Sequence, residues 1–251
     1  MDDHPAPIFG LSFSSMSAKA VAAHILQSGQ LDRQASQVLV TPNIQHVAEM
    51  GRSEGFKEAM HSADLVVCDG FPVAILGRAR GLSRLRRVTG REVVHRILSD
   101  ERALLNQRVF FIVDSSQTRD GLYQWRTSLN VECDISVDVA PAKFASGSQY
   151  AKQLIDKISA FRPSLVFVCL GAPESEIFAS QCKTQLHGSW ILCVGQSLRV
   201  FVGLSPKPPA VVELLCLEWL WRIGHEPVRL LPRYASASWR FLGCVVRELR
   251  Q

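Results

Sequence analysis

Six short, apolar, β-branched runs recur along the chain: QVLVT (37–41), DLVVCD (64–69), RVFFIV (108–113), DISVDV (134–139), SLVFVCLG (164–171) and SWILCVG (189–195). Their spacing constrains the fold more than any other feature. Stretches of helical periodicity at 43–60, 91–105, 118–130, 148–161 and 174–187 separate most of them. Strands alternating with helices imply parallel pairing, because a parallel connection must cross back over the sheet. The runs at 64–68 and 165–170 are apolar at nearly every position rather than at every second one, which fits central strands covered on both faces. The expected architecture is an α/β, Rossmann-like layered domain with a mostly parallel sheet.

Such sheets bind ligands in the crevice beyond the carboxyl ends of their strands. The residues expected there are small, polar or acidic: Thr41, Pro42 and Asn43; Asp69 and Gly70; Asp114, Ser115 and Ser116; Gly171 and Glu174; Gly195, Gln196 and Ser197. Turns call for many of these residue types on their own account. Asp69 is different, because a carboxylate so close to a buried strand is poorly hydrated and needs a reason to be there.

After Gly195 the alternation stops. SPKPP (205–209) breaks it, AVVELLCLEWLWR (210–222) reads as an apolar helix opened by prolines, and HEPVRLLPRY (225–234) reads as a proline-punctuated connector. In the last segment, 236–250, Trp239, Leu242, Val246 and Leu249 share one helical face flanked by Arg240, Arg247 and Arg250. That pattern suits an anionic membrane surface or packing onto the chain's own body. The reading is therefore a catalytic domain over 1–204 and a basic, amphipathic, helical C-terminal appendage over 205–251.

Charge is uneven. Residues 78–96 carry seven arginines against one glutamate and residues 206–251 carry seven basic against four acidic residues, within a whole-chain net charge of +5. Two basic zones on a mildly acidic body point to an anionic partner such as a nucleotide diphosphate, an acidic lipid surface or nucleic acid. The 78–96 run has no interleaved aromatics, which argues against nucleic acid. No apolar run approaches the roughly 20 residues that span a bilayer. The opening MDDHPAPIFG is acidic where a signal peptide would be basic, so a cytoplasmic location is expected. The seven cysteines are odd in number, form no CxxC pair and sit mostly in apolar segments, as structural thiols do.

Several common chemistries lack their motifs. There is no GxGxxG after the first strand, no GxxxxGK[ST], no GxSxG elbow, no HExxH and no DxD pair. Without a carboxylate pair to hold a divalent ion, arginine is the residue suited to carry a diphosphate.

The motifs TPN (41–43), ADLVVCDGFPV (63–73), RVTGRE (87–92), VFFIV (109–113), LGAPESE (170–176), LEWLWR (217–222) and EPVRLLPRY (226–234) occur in an order and spacing that resembles the WecG/TagA/CpsF family of bacterial glycosyltransferases. The resemblance runs from about residue 38 to about residue 234. It implies an inverting, metal-independent transfer of a sugar from a UDP-sugar to a polyprenyl-diphosphate-linked sugar in cell-envelope or exopolysaccharide assembly. It implies no cofactor, and work at the inner face of the plasma membrane. By motif match Asp69 is the general base. Thr41, Asn43, Gly70, Arg87, Gly90, Gly171 and Glu176 bind substrate, and Arg222, Arg229 and Arg233 of the appendage close over the diphosphate. The chain departs from the family in three places. Glu174 and Ser175 stand where a Lys-Gln pair is usual, Asp114 to Ser116 replace glycines, and Lys207 replaces an arginine. These departures leave a second reading, a catalytically weak member acting as a binding or regulatory subunit.

Overall fold

The computed structural model describes residues 7–28, 35–214, 217–225 and 227–250, and within these the side chains of Ala210, Leu214, Arg222, Arg229 and Arg233 lie outside the described residues. The first half runs α1 (Ala18–Ser28), β1 (Gln37–Val40), α2 (Ile44–Met50), α3 (Glu54–His61), β2 (Leu65–Val66), α4 (Phe71–Ala79), α5 (Gly90–Leu98) and α6 (Glu101–Leu104). The second runs β3 (Gln107–Val113), α7 (Ser116–Thr127), β4 (Cys133–Val139), α8 (Gln149–Phe161), β5 (Leu165–Val168), α9 (Glu174–Gln185), β6 (Trp190–Cys193) and α10 (Ser197–Phe201). Three further helices follow: α11 (Ala210–Leu214), α12 (Glu218–His225) and α13 (Pro227–Glu248).

The strands form one six-stranded sheet in the order β2-β1-β6-β5-β3-β4. All its pairings are parallel, with Leu39 opposite Leu192, Val166 opposite Ile191 and Val109 opposite Leu165. The continuous apolarity of the central strands has a direct cause. Val38, Val40, Phe110, Ile112, Val166, Val168, Ile191 and Cys193 face one core. The residues between them, Leu39, Val109, Phe111, Leu165, Phe167 and Leu192, face the other. Helices α2, α3, α8 and α9 cover the first face, and α1, α5, α7 and α10 cover the second. Burial of both faces removes the period-2 alternation that a one-sided sheet would show.

The helix expected over 210–222 is two, α11 and α12, and the sequence-based elements differ from the structure in four other places, each for a local reason. The helical stretch 43–60 is two helices, because Gly51 caps α2 and the Ser53 side chain accepts the Phe56 N–H to start α3. The stretch 91–105 divides likewise at Ser99 and Asp100, the latter capping Ala103. The strand expected over 64–69 is regular only at Leu65–Val66. It lies at the sheet edge, where Phe13 bridges Val66 and Cys68 bridges Arg87, so its outer hydrogen bonds go to loop segments.

The fourth difference is the connector read over 225–234, which is helical from Pro227 through Pro232. Pro227 suits a first helical position. Pro232 leaves the Val228 carbonyl without its intrahelical donor, but Val228 is 91% exposed and water can take that place. Packing outweighs the cost. Leu230, Ala237 and Phe241 of α13 are buried, and Phe241 belongs to the same core as Val47 and Met50 of α2, with its ring 5.9 Å from that of Phe9.

Two stability effects follow from this core. Phe167, fully buried and stacked 5.2 Å from Phe111, should cost about 3–5 kcal/mol on replacement by Ala in chemical denaturation. Burial also raises the thiols of Cys68, Cys169, Cys182 and Cys193 above their ordinary value of 9.0. In the unfolded chain these thiols ionise near that value, whereas the folded chain keeps its protons. Stability should therefore be fully present below about pH 9 and fall as pH rises beyond it, as a lower melting temperature at pH 10.5 than at pH 8 would show.

Candidate active site

The chain leaves β1 for α2 on one face of the sheet and leaves β6 for α10 on the other, so the tips of these neighbouring strands diverge. The same happens between β5, followed by α9, and β3, followed by α7. Crevices for ligands open at such reversals. At the β1/β6 reversal lie two adjoining cavities of about 290 and 260 Å³, which share Asn43, Gln45, Asp69, Arg91, Ser197 and Tyr234 in their walls. A larger groove of about 640 Å³ follows the tips of β3, β4 and β5 past Asp114, Lys143 and Gly171.

Thr41, directly after β1, is buried, and its Oγ1 donates to the Cys193 carbonyl at 3.3 Å, tying the two strand tips together. Asn43 caps α2 through its Oδ1, which accepts the Gln45 N–H at 2.9 Å, so its amide NH₂ is the donor group it retains. The Asp69 backbone is held on both sides. Its N–H donates to the Pro42 carbonyl at 3.1 Å, and its own carbonyl accepts from Arg87 Nε at 3.1 Å. A pinned backbone sets a half-buried carboxylate in the wall of both cavities. Gly70, which caps α4, leaves room for this approach, since a Cβ there would stand 2.9 Å from Asn43 Cα. Gly171 sits at the second reversal with φ +111°, a conformation that glycine tolerates, and lines the smaller cavity with the buried Glu176.

Two arginines of the basic run meet the C-terminal segment here. Arg87 Nη2 lies 2.7 Å from Glu218 Oε1, and Arg91 Nη2 lies 2.8 Å from Glu213 Oε1. Both ion pairs are partly buried and both join α5 and the loop before it to α11 and α12. Cys68, next to Asp69, is no nucleophile. Burial, with the Asp69 charge adding, pushes its thiol up to about 12. Among the described residues no group of three or more His, Cys, Asp or Glu is placed to hold a metal ion.

Of the residues expected from the sequence, Thr41, Asn43, Asp69, Gly70, Arg87, Gly171 and Glu176 thus line the two cavities. Gly90 does not. It opens α5 and is buried against Val194 and Ser197, where a Cβ would sit tightly at 3.1 Å from Ser197 Oγ and 3.3 Å from the Val194 carbonyl. The side chains of Arg222, Arg229 and Arg233 lie outside the described residues, although their neighbours Trp221, Leu230 and Tyr234 line the smaller cavity. Ser175, at the position of the usual glutamine, is fully buried and its Oγ accepts the Gly171 N–H at 2.9 Å. Sequence reasoning missed His46, Arg91, Glu213 and Glu218. His46 stands three residues after Asn43, the spacing of a capping box, and that signal was available. The partners of Arg91 and Arg87 were not legible, being more than a hundred residues away.

A half-buried carboxylate and two arginines thus meet at a strand-tip crevice of a layered α/β domain. The sequence profile of the glycosyl transferase WecG/TagA/CpsF family matches residues 6–251, and the chain belongs to that family. It is a glycosyltransferase. An N-acetylglucosaminyldiphosphoundecaprenol N-acetyl-beta-D-mannosaminyltransferase of Bacillus spizizenii is 26% identical over 239 residues, covering 92% of this chain and 89% of that protein. Because a Cβ at Gly70 has no room beside Asn43, Gly70→Ala should lower kcat/KM at least tenfold with an unchanged far-UV circular dichroism spectrum.

Proposed function

We propose that the protein transfers a sugar from a UDP-sugar to a sugar carried on a polyprenyl diphosphate, with inversion at the anomeric carbon and without a metal ion. The assembly served is a cell-envelope or extracellular polysaccharide. The observation that carries this reading is the placement of Asp69 in one wall with Arg87 and Arg91. An inverting transfer needs a carboxylate to take the proton of the attacking hydroxyl, a contribution of about 10²–10⁴-fold. It also needs fixed positive charge where the leaving diphosphate becomes more negative. Asp69 and the two arginines supply both parts, and Arg222, Arg229 and Arg233 would add to the second. The acceptor named for the Bacillus relative, a diphosphate-linked N-acetylglucosamine on a prenyl chain, supports the acceptor class.

In this reading the segment from 205 onward is an appendage that completes the site and meets the lipid surface. Support comes from α13. Its inward face is seated on α2, yet Val228, Leu231, Trp239, Leu242 and Val246, with Leu249 just past its end, form an exposed apolar stripe, with Trp239 78% exposed. Arg240, Arg247 and Arg250 are exposed beside that stripe, as suits an anionic bilayer. Among the described residues no helix is long and apolar enough to cross a membrane.

The test is UDP release and product mass with a panel of UDP-sugars and short-chain lipid-diphosphate acceptors in the presence of EDTA. Acceptor-dependent turnover is expected with one donor, and loss of all turnover on chelation would refute metal independence. Asp69→Asn should lower kcat at least a hundredfold with UDP affinity within about threefold of wild type; near wild-type turnover would remove Asp69 from the role of base. Trp239→Ser with Leu242→Ser should reduce sedimentation with anionic vesicles and leave turnover of a soluble acceptor unchanged.

A further inference from the structure

Arg87 and Arg91 meet the site, but four other arginines of the basic run do not. Arg78, Arg80, Arg84 and Arg86 are exposed, crowded into nine residues at the end of α4 and the loop after it. That loop has a fixed shape. The Leu82 N–H donates to the Gly77 carbonyl at 2.9 Å, Arg78 Nε donates to the Leu85 carbonyl at 3.1 Å, and a Cβ at Gly77 would stand only 2.4 Å from Leu85 Cδ2. Leu82 and Leu85 are buried in the core, which turns Arg84 and Arg86 outward.

The result is an open cleft of about 520 Å³ whose walls include Arg78, Arg84, Arg86 and the serines Ser15 and Ser83, with no carboxylate among them. No acidic residue occurs between Asp69 and Glu92, and among the described residues none of the four arginines forms an ion pair. Like charges held this close by a folded loop repel one another, and an anionic surface offsets that repulsion. The same helix adds a second feature. Phe71 and Ile75, one turn apart on α4, are 41% and 49% exposed, and the next turn carries Arg78. Phe71 also lines the 290 Å³ cavity beside Asp69, together with the half-exposed Trp219.

Apolar side chains at a cavity mouth, continued along one helix by unpaired cations, match the interface of an anionic bilayer. Nucleic acid would use the arginines but has no place for Ile75, and the run lacks aromatic platforms for bases. A two-fold self-contact centred here would set the arginines against their own copies. We propose, resting on the lipid-acceptor reading above, that α4 and the 77–86 loop form a second bilayer contact, on the catalytic body rather than on the appendage. Arg80, Arg84 and Arg86 take anionic phospholipid headgroups, and Phe71 and Ile75 enter the interface. This contact turns the mouth of the 290 Å³ cavity toward the membrane that carries the acceptor.

The test is sedimentation of the full-length chain with phosphatidylcholine vesicles, with and without phosphatidylglycerol. A basic residue at an anionic surface is worth about fivefold in partition, so Arg80→Gln, Arg84→Gln and Arg86→Gln together should weaken binding to the anionic vesicles at least tenfold and leave binding to the neutral ones unchanged. The corresponding triple Lys variant keeps the charge and should bind within about threefold of wild type, and salt above about 0.5 M should bring wild type down to the level of the Gln variant. Ile75→Ser should weaken binding about threefold. Turnover of a soluble short-chain acceptor should be the same in wild type and the Gln variant, whereas turnover of a long-chain acceptor in anionic vesicles should fall. Equal anionic-vesicle binding by wild type and the Gln variant would overturn the inference, and so would an equal loss in the Lys and Gln variants. If the Gln variant loses only retention of duplex DNA or self-association, with vesicle binding intact, the cluster serves that partner and the inference also fails. Absence of turnover with every donor and acceptor would overturn the glycosyl-transfer reading, and sedimentation, which needs no catalysis, would still decide this one. Melting temperatures within about 3 °C of wild type separate each result from misfolding.

Discussion

The pairing of β1 with β6 at the middle of the sheet is the constraint on which the site depends. Val38 opposite Ile191 and Val40 opposite Cys193 lock two strands whose following segments leave toward opposite faces. Two tips held side by side, with their chains diverging, cannot be filled by their own backbone. Thr41 closes the floor of the gap through Cys193, and Asn43, Asp69 and Ser197 end up around one space although the sequence separates them by as much as 154 positions. The Asp69 carboxylate stands half-buried in the wall of this gap, while its backbone is satisfied by Pro42 and Arg87.

Arg87 is the second joint. Through Nε it fixes the carbonyl of Asp69, and through Nη2 it reaches Glu218 on α12. One guanidinium thus connects the strand tip bearing the acid to the C-terminal helices, which its planar fork allows and a lysine would not reproduce. Partly buried pairs of this kind add little to net stability once desolvation is counted. Their value here is positional. Arg87–Glu218 and Arg91–Glu213 hold cationic groups at the cavity wall, at a place where a diphosphate would offer the same kind of anionic acceptor as the glutamates.

The fold was legible to the extent that burial on both faces leaves a mark in the chain. Strands β3 and β5 could be read because each of their residues belongs to one core or the other. The helical periods over 118–130, 148–161 and 174–187 match α7, α8 and α9 to within a few residues. Legibility failed where tertiary contacts overrode local signals. Two prolines marked 225–234 as a connector, yet the seating of Leu230, Ala237 and Phe241 on the body carries the helix through them. The edge strand β2 looked longer than it is, since its apolar residues are buried by loop segments rather than by a neighbouring strand.

The sequence by itself determined the α/β layering, the strand-tip address of Asp69 and the basic character of 78–96 and the C-terminal segment, since hydrophobic period, turn residues and charge are local properties. The family followed from motif order. Only the tertiary structure decided which of the arginines meet the site, that Glu213 and Glu218 are their partners, and that His46 stands between Asn43 and Glu176. Only the folded chain could show that Gly90 is a buried spacer and that Glu176, deeply buried, sits against His46. These are distances between groups remote in sequence, set by the register of β1 on β6 and the docking of α11 to α13, and no local pattern encodes them.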